Sequence, residues 1–539
     1  MALIKSNPYL VLVSLLFVFM ADIYSGQTID FVKDTWITSP GIESLRKELR
    51  VLSQAVKNQA LRINILEGEL TDVKQKKCQC ESLVFSPESY PTTKMTLTTT
   101  KAMVTSSTLT STTLKDSTIE LPALKGNAGR EFLVLFMRNH PGSTGALSLY
   151  VTTENETILN VSSAQDLKPA IKSKIDRKTT VTSELNFTLP FDLTCKYLTV
   201  EPKAVLLQTS ELSTVTAFDS LYEGATDGSL IIPTSKLSTK YLISTTEPYK
   251  INRDFYSQFA IGALFDGSNI NVTFKMKKEV PLSLPDGSYT DGDVCSIALG
   301  RLETFQVRHT TDLTGTLITS SKPIAVFSGH RCQALKSKYC SHMVTQLPPT
   351  NELDKDYIVP TFYNNEATLI QVVSEHTSTV ILTVGDRQST WYLNERDFKN
   401  VEVKSGEITV IVSDQPVLVS GFGMGVPYDS YMTVIPGVHQ YLDFYKITVP
   451  AGYTENYICV IIPMDYKTNL RINGLRVNQY KVVYESSKVL NTTTYVIYTF
   501  EVEAGTFLLS TSDHSAFGLI VYGHRNIDGY SFAGNILLP

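Results

Sequence analysis

The chain has 539 residues, a formal net charge of −5 and 42% hydrophobic residues. This length is too great for one ordinary hydrophobic core, so we expect several modules. Lysine and arginine are dispersed along the chain and form no basic stripe, which argues against nucleic-acid binding.

The first residues have the features of a secretory signal peptide. Lys5 provides a positive start, residues 10–20 form an apolar core, and the small residues Ala21, Ser25 and Gly26 follow. The apolar stretch is shorter than the roughly 20 residues that a membrane span requires. We therefore expect a signal peptide at residues 1–26, a short N-terminal segment at 27–39, and a secreted, extracellular protein without a membrane span.

Residues 40–80 carry the pattern of a parallel coiled coil. Between Ile42 and Val73 an apolar residue returns every three or four positions, and only Gln59 interrupts the seam. A stripe this narrow needs partner helices, although a single helix packed on a globular domain is the alternative. We expect a homo-dimer or homo-trimer. The predicted oligomerisation residues are Ile42, Leu45, Leu49, Leu52, Val56, Gln59, Ile63, Leu66, Leu70 and Val73.

Secretion favours disulfides over metal sites for the seven cysteines. Cys78 and Cys80 follow the coiled coil, where the same residues of neighbouring chains come close, and their short spacer prevents a bond between them. We therefore predict interchain disulfides at both positions. The other cysteines are Cys195, Cys295, Cys332, Cys340 and Cys459. Because five is an odd number, at least one is free or bonds outside its own head.

Residues 81–124 have the composition of a stalk. From about residue 86 to 118, roughly half of the residues are Ser or Thr, and large apolar residues are almost absent. Such a stretch cannot bury enough surface to offset its ordering entropy, so we predict a disordered Thr/Ser-rich stalk. An O-glycosylated stalk and a plain flexible linker both fit this composition.

Residues 125–539 have the sequence pattern of an all-β head. Strand-like runs rich in Val, Ile, Thr, Tyr and Phe alternate with turn signals. A strand, a polar turn and a buried apolar strand recur at residues 315–330, 406–421 and 505–523, with a weaker copy at 204–219. Upstream, Tyr241, Tyr357 and Tyr445 each open a unit. The spacing predicts about four tandem β-sandwich-like repeats, with a β-propeller-like arrangement as the alternative.

Several motifs of the head carry a family resemblance. The most specific is SKPIAVFSGHRC at residues 321–332, followed by CSHMVTQLPP at 340–349. Supporting motifs are GREF at 129–132, KDYIVPT at 355–361 and YDSYMTVIP at 428–436. With these motifs the head resembles the IgGFc-binding domain family of secreted mucus and innate-defence proteins. The resemblance implies a binding module, and the family keeps the pair Cys332 and Cys340.

Two constellations can be drawn as metal sites. His330, Cys332, Cys340 and His342 give H-x-C-x7-C-x-H, but this spacing is unusual for structural zinc. An oxidising compartment favours a Cys332–Cys340 disulfide instead, and the resemblance supports that pairing.

The second constellation consists of Asp286, Asp291 and Asp293, which suggest calcium. The stretch lacks a bidentate glutamate at the EF-hand distance, and Asp-Gly is a favoured hairpin turn, so we predict a turn. We also find no G-x-S-x-G and no H-E-x-x-H, and we expect no catalytic residues, no metal and no cofactor.

Five sequons predict N-glycosylation of a secreted protein. They are Asn155, Asn160, Asn186, Asn271 and Asn491. Alternation along the strand-like run 270–274 points Asn271 outwards if Val272 points inwards. Three sequons lie in the first unit, so we expect sugar to cover that face.

These features predict a secreted, multivalent binding glycoprotein of mucosal or innate defence, which displays several heads on stalks. The expected partners are the chain itself and a glycan, mucin, microbial-surface or immunoglobulin-like ligand. Linking weakly binding heads can raise avidity by about 10²–10⁴. The alternative is a structural or adhesive component of mucus or extracellular matrix.

Overall fold

The computed structural model describes residues 126–538 except 141–144, 222–224, 250–254, 338, 426–429 and 526–527. These residues belong to one compact unit, Asp116–Pro539. The predicted signal peptide, the coiled-coil seam from Ile42 to Val73, the pair Cys78 and Cys80, and the stalk all lie outside the described residues. Among the described helices, none has the length and hydropathy needed to cross a membrane.

The first unit of the head is a seven-stranded antiparallel sheet in the order β4-β3-β7-β2-β5, and β1 and β8 also pair with β7. Its elements are β1 (Gly129–Val134), β2 (Gly145–Thr153), β3 (Thr157–Ser163), helix α1 (Pro169–Ile175), β4 (Arg177–Val181), β5 (Glu184–Leu189), a 3₁₀ turn (Phe191–Leu193), β6 (Val200–Glu201), β7 (Val205–Leu221) and β8 (Ala225–Ile231). The short strand β6 joins the sheet of the next unit, where it pairs with β15 (Thr304–His309).

The second unit has an eight-stranded sheet in the order β14-β11-β16-β10-β15-β6, with β9 and β17 also on β16. After a 3₁₀ turn (Thr234–Lys236), its elements are β9 (Ser238–Leu242), β10 (Ser257–Ala263), β11 (Ser268–Thr273), β12 (Leu282–Leu284), β13 (Gly287–Tyr289), β14 (Val294–Leu299), β15, β16 (Leu317–Gln333) and β17 (Ser341–Gln346). Strands β12 and β13 form a separate hairpin.

The third unit repeats this plan in a seven-stranded sheet of order β21-β20-β23-β19-β22, with β18 and β24 on β23. After a 3₁₀ turn (Thr350–Glu352), its strands are β18 (Asp354–Val359), β19 (Ala367–Ser374), β20 (Ser378–Val384), β21 (Arg387–Leu393), β22 (Phe398–Lys404), β23 (Thr409–Met424) and β24 (Met432–Val434).

The fourth unit divides the same plan between two sheets, β25-β31-β27-β28 and β29-β30-β26-β32-β33. Its elements are 3₁₀ turns (Val438–Gln440, Met464–Asn469 and Val477–Gln479), β25 (Phe444–Val449), β26 (Glu455–Pro463), β27 (Leu470–Ile472), β28 (Leu475–Arg476), β29 (Lys481–Leu490), β30 (Thr493–Glu501), β31 (Gly505–Thr511), β32 (Gly518–Arg525) and β33 (Asp528–Ala533).

In three units the segment predicted as a strand, a polar turn and a second strand does not contain the turn. In units 1 to 3 the two predicted strands and the polar residues between them form one continuous strand, β7, β16 or β23. In β16 the pairing with β9 shifts register between Thr319 and Ile324, and the exposed Ser321 and Lys322 lie in that bulge. A bulge absorbs the polar residues without reversing the chain. Unit 4 has the predicted break, between β31 and β32.

In units 2 to 4, the tyrosine of the opening strand forms hydrogen bonds with the recurring strand–turn–strand segment of the same unit. The Tyr357 hydroxyl donates to the carbonyl of Val417 at 2.6 Å and accepts the N–H of Asp354 at 3.0 Å. Tyr241 and Tyr445 make the equivalent pairs of bonds. The predicted unit openings are therefore confirmed.

The last strands of the four units meet at the centre of the head. Strand β8 contacts β17 and β33, and β24 contacts the same two strands, so the units are arranged in a ring. The ring closes where the N–H of Asn127 donates to Oδ1 of Asn535 at 2.8 Å. The all-β prediction with four repeats is confirmed. Units 1 to 3 each have one main curled sheet and unit 4 has two sheets.

Candidate functional site

A single carboxylate links all four units at the centre of the ring. Oδ1 of Asp227 accepts the backbone N–H groups of Gly228 at 2.8 Å and Ser531 at 3.1 Å. Its Oδ2 accepts those of Val344 at 3.2 Å and Met432 at 2.9 Å. Burial raises the pKa of Asp227, and these four donors oppose the rise. Asp227 thus satisfies backbone donors of β17, β24 and β33 at once.

The connections that lead into these four last strands lie at one end of the head, which we call the loop face. The units also bond to each other there. The N–H of Leu335 donates to Oγ of Ser430 at 2.9 Å, and the N–H of Thr226 donates to Oδ1 of Asp528 at 2.9 Å. The described residues that these and neighbouring contacts bring together on the loop face include Asn139, His140, Ala225, Thr226, Phe255, Leu335, Tyr339, Ser430, Arg525 and Asp528.

The link between β16 and β17 on the loop face is stapled by a disulfide. Cys332 and Cys340 are bonded, with their Cα atoms 5.1 Å apart, which is the predicted pairing. The neighbouring Tyr339 is 52% exposed, and Lys336 forms an ion pair with Glu402 of unit 3. Since the two sulfurs are bonded to each other, neither is a thiolate that could ligate zinc.

The two histidines of that motif are fully buried. Nε2 of His330 accepts the N–H of Thr246 at 2.8 Å, so this nitrogen carries no proton. Nε2 of His342 lies 3.5 Å from Oδ2 of Asp219. Burial lowers the pKa of His330 to about 3 and that of His342 to about 4, and it raises the pKa of Asp219 to about 7. Both imidazoles are therefore neutral at physiological pH.

The remaining described cysteines are free and buried in three different units. They are Cys195, Cys295 and Cys459. Burial raises the pKa of Cys195 to about 11 and that of Cys459 to about 12, so both stay as unreactive thiols at neutral pH. Within the head these three cysteines are unbonded, which agrees with the expectation that at least one cysteine is free or bonds outside its own head.

The aspartates considered for calcium act as turn residues. Oδ2 of Asp293 accepts the N–H of Thr290 at 2.7 Å. Oδ1 of Asp291 accepts the N–H of Met276 at 3.1 Å, and Asp286 accepts the hydroxyl of Tyr289 at 2.7 Å. Each carboxylate is thus committed to a local donor.

All five sequon asparagines are exposed, and none belongs to the described residues of the loop face. They are Asn155, Asn160, Asn186, Asn271 and Asn491. Asn160 pairs with Gln208 and Asn271 pairs with Thr319, both in the first halves of the long strands, whereas the loop face is at their far ends. Asn271 points outwards beside the buried Val272, as alternation predicts.

A cavity of about 230 Å³ lies between units 1 and 4, beside the loop face. Tyr150, Phe218, Tyr453 and Arg525 line it. The guanidinium of Arg525 lies 5.0 Å from the centre of the Tyr453 ring, and its Nη2 lies 2.9 Å from Oδ2 of Asp528. The cavity is smaller than ordinary ligand pockets, which begin near about 300 Å³, and its one cation is already paired.

Sequence reasoning did not identify the central role of Asp227. An Asp-Gly pair between strand-like runs reads as a hairpin turn. A repeat of the Asp-Gly pair is the sequence feature that could have drawn attention to Asp227. Asp227-Gly228 and Asp528-Gly529 both lie near the beginning of the last strand of a unit.

Comparisons with known proteins agree with the resemblance seen in the motifs. The family model described as IgGFc binding protein matches residues 227–523, more than half of the chain. The human protein named IgGFc-binding protein is 28% identical over 314 residues, which are 57% of this chain and 6% of that protein. The chain therefore spans a small part of the length of this relative.

A solved structure is also similar in part. Its title is "Ca2+-stabilized adhesin helps an Antarctic bacterium reach out and bind ice", and it aligns with 77% of this chain and 100% of that chain. At 10% identity and a TM-score of 0.10, this similarity carries no argument about fold or function. The family match rests on residues 227–523, which include Asp227, the stapled hairpin and most of the ring. The chain belongs to the IgGFc-binding protein family.

Proposed function

We propose that the chain is a secreted, multivalent recognition glycoprotein that binds its ligand through the loop face. The observation that carries this proposal is the convergence of the four units at one end of the ring, which holds none of the five sequons. Binding residues commonly lie on connections that a rigid scaffold positions. Sugars attached at the sequons would cover the other parts of the head and leave this end accessible.

The family supports a binding role rather than a catalytic one. The relative's name refers to the Fc part of IgG, so an immunoglobulin-like ligand is one candidate, beside glycans, mucins and microbial surfaces. Mucosal or innate defence is the setting we propose for such ligands. The predicted coiled coil and the interchain disulfides at Cys78 and Cys80 would join the heads, so that weak single contacts add up to avid binding.

Placing a sugar on the loop face tests its role directly. The substitution Tyr339→Asn makes residues 339–341 read N-C-S, a sequon at the exposed edge of the stapled hairpin. Full-length protein from a secretory host would be tested on immobilised IgG Fc, mucin, microbial cells and a glycan array. We expect the modified variant to lose binding to the ligand that the wild type recognises.

Two control variants complete this experiment. Tyr339→Gln removes the same ring without creating a sequon, and Asn155→Gln removes a sequon far from the loop face. Both should bind the same ligand with an affinity within about threefold of that of the wild type, a difference of less than about 1 kcal/mol in binding free energy. If Tyr339→Asn carries a sugar, shown by its mobility on a gel, and still binds normally, the loop face is not the binding surface. Insoluble assembly without binding to any of these ligands would favour the matrix role.

A further inference from the structure

Three arginines surround Tyr197 at the seam between units 1 and 2. The guanidinium carbon of Arg308 lies 4.7 Å from the centre of the Tyr197 ring and 4.5 Å from that of Tyr256. The guanidinium carbon of Arg138 lies 5.9 Å from the Tyr197 ring. Arg331 also acts electrostatically on the Tyr197 phenol. We name Arg138, Tyr197, Tyr256, Arg308 and Arg331 the arginine–tyrosine cluster.

A network of buried amides holds this cluster in place. The Tyr197 hydroxyl donates to Oε1 of Gln258 at 2.8 Å, and Nε2 of Gln258 donates to the carbonyl of Arg138 at 3.0 Å. Oε1 of Gln306 accepts the N–H of Arg138 at 3.1 Å, and both glutamines are fully buried. The tyrosine ring and the backbone of Arg138 are therefore fixed before any ligand arrives, which lowers the entropic cost of binding.

Two arginines of the cluster carry a positive charge that no carboxylate of the described part of the head neutralises. There, neither Arg138 nor Arg308 pairs with a carboxylate, whereas Arg130, Arg387 and Arg525 pair with Glu211, Glu407 and Asp528, respectively. Arg138 is exposed and Arg308 is half-buried, so an anion can reach both. Guanidinium groups pair with sulfate and carboxylate through two parallel hydrogen bonds. The cluster is therefore suited to bind an anion.

Aromatic rings extend from this charge towards the loop face. The ring of Phe255 lies 6.1 Å from that of His140 and stacks 6.3 Å from that of Tyr249. Phe255 is the neighbour of Tyr256 in the chain, and His140 lies beside the disulfide. Flat apolar rings suit the carbon-bound hydrogens of sugar rings, and arginines suit acidic substituents on those sugars.

We infer that the arginine–tyrosine cluster is a subsite for the sulfate or carboxylate groups of acidic glycans. This inference rests on the proposed function, because it assigns a ligand class to the edge of the loop face. Arg308 and Arg138 bind the anionic group, and the rings of Tyr197, Tyr256 and Phe255 support the sugar. A glycan is favoured over an acidic peptide because the flat rings border the cations.

Full-length protein would be tested on three immobilised polysaccharides: dextran sulfate, hyaluronate and neutral dextran. We expect binding to one or both acidic polymers, little binding to dextran, and an affinity that falls as salt is raised. Binding to dextran sulfate identifies sulfate as the recognised group, and binding to hyaluronate identifies carboxylate. Arg138→Gln and Arg308→Gln should each weaken binding by about tenfold or more, since each removes a charge-assisted hydrogen bond.

Arg387→Gln is the matched control, because this arginine is exposed in unit 3 and should leave binding unchanged. Arg308 packs on two rings, so the exposed Arg138 provides the variant that leaves the fold intact, checked by its melting temperature. Equal binding to dextran and dextran sulfate overturns the inference, as does normal binding by folded Arg138→Gln. Equal binding to poly-glutamate overturns the glycan assignment. If these variants bind IgG Fc, mucin or microbes normally through the loop face, the subsite is wrong and the proposed function stands.

Discussion

Removing the central carboxylate should destabilise the whole ring. Asp227 accepts four backbone N–H groups, three of which belong to Val344, Met432 and Ser531 in the other units. In Asp227→Ala all four lose their acceptor inside the protein. A buried donor without a partner costs about 1–3 kcal/mol, so we expect a loss of about 4–12 kcal/mol in the free energy of unfolding. Native domains are stable by only about 5–15 kcal/mol.

The isosteric variant provides a graded comparison. Asp227→Asn keeps one acceptor oxygen but turns an NH₂ group towards two N–H donors, so about half of the loss remains, about 2–6 kcal/mol. Asp166→Ala is the control, because Asp166 is exposed in the same unit. A surface change of this kind alters stability by less than about 0.5 kcal/mol.

Urea unfolding followed by far-ultraviolet circular dichroism and by tryptophan fluorescence measures this effect. The first signal reports on all sheets, and the second reports on Trp391 in unit 3 together with Trp36, which lies outside the described residues. Wild type should show coincident transitions, because the units share the centre of the ring. We expect the order of midpoints to be wild type and Asp166→Ala, then Asp227→Asn, then Asp227→Ala. An Asp227→Ala midpoint equal to that of Asp166→Ala would refute the central role of this carboxylate.

Three further predictions concern the buried histidine of unit 4 and the cysteines. Burial lowers the pKa of His524 from 6.5 to about 4, so acidification from pH 7 to 5 protonates this side chain in the unfolded state only and costs about 2 kcal/mol of stability. His524→Gln should remove that share of the acid destabilisation in urea titrations at the two pH values, and an unchanged pH dependence would contradict it. Replacing both Cys332 and Cys340, which are eight positions apart, by serine should lower the free energy of unfolding by about 2.5 kcal/mol through loop-closure entropy. A reductant should remove this difference between variant and wild type. On gels run without reductant, full-length protein should form multimers that vanish when Cys78 and Cys80 become serine, and persistence of the multimers would exclude these bonds.

Features that depend on local pattern were predictable from the sequence. Alternation and turn residues gave an all-β head, and the repeated Tyr241, Tyr357 and Tyr445 marked the openings of three units. The disulfide between Cys332 and Cys340 followed from the compartment and the family motif. Each of these signals lies within a few residues of the feature it predicts. A single sequence is therefore enough to recognise the signal.

Features that depend on the meeting of distant segments were not predictable in this way. The partners of Asp227 lie 117, 205 and 304 residues away in the chain. The arginine–tyrosine cluster combines Arg138, Tyr197 and Arg308 from two units, and none of the three stands in a recognisable motif. The polar Ser321 and Lys322 predict a turn where β16 has a bulge, and sheet pairing on both sides keeps the strand continuous.

The central claim is that several heads bind together, and dissociation rates at two ligand densities test it most directly. Full-length protein would be compared with a variant that carries Leu52→Asp and Leu66→Asp in the predicted seam and serine at Cys78 and Cys80, so that neither the coiled coil nor the interchain bonds join the chains. The control is Gln54→Asp with Asn64→Asp, which places the same residue outside the seam. Surfaces would carry IgG Fc, mucin or dextran sulfate. We predict that wild type and control leave the dense surface much more slowly than the sparse one, and that the seam variant leaves both at one fast rate. Equal rates for wild type and seam variant on the dense surface would contradict multivalent binding.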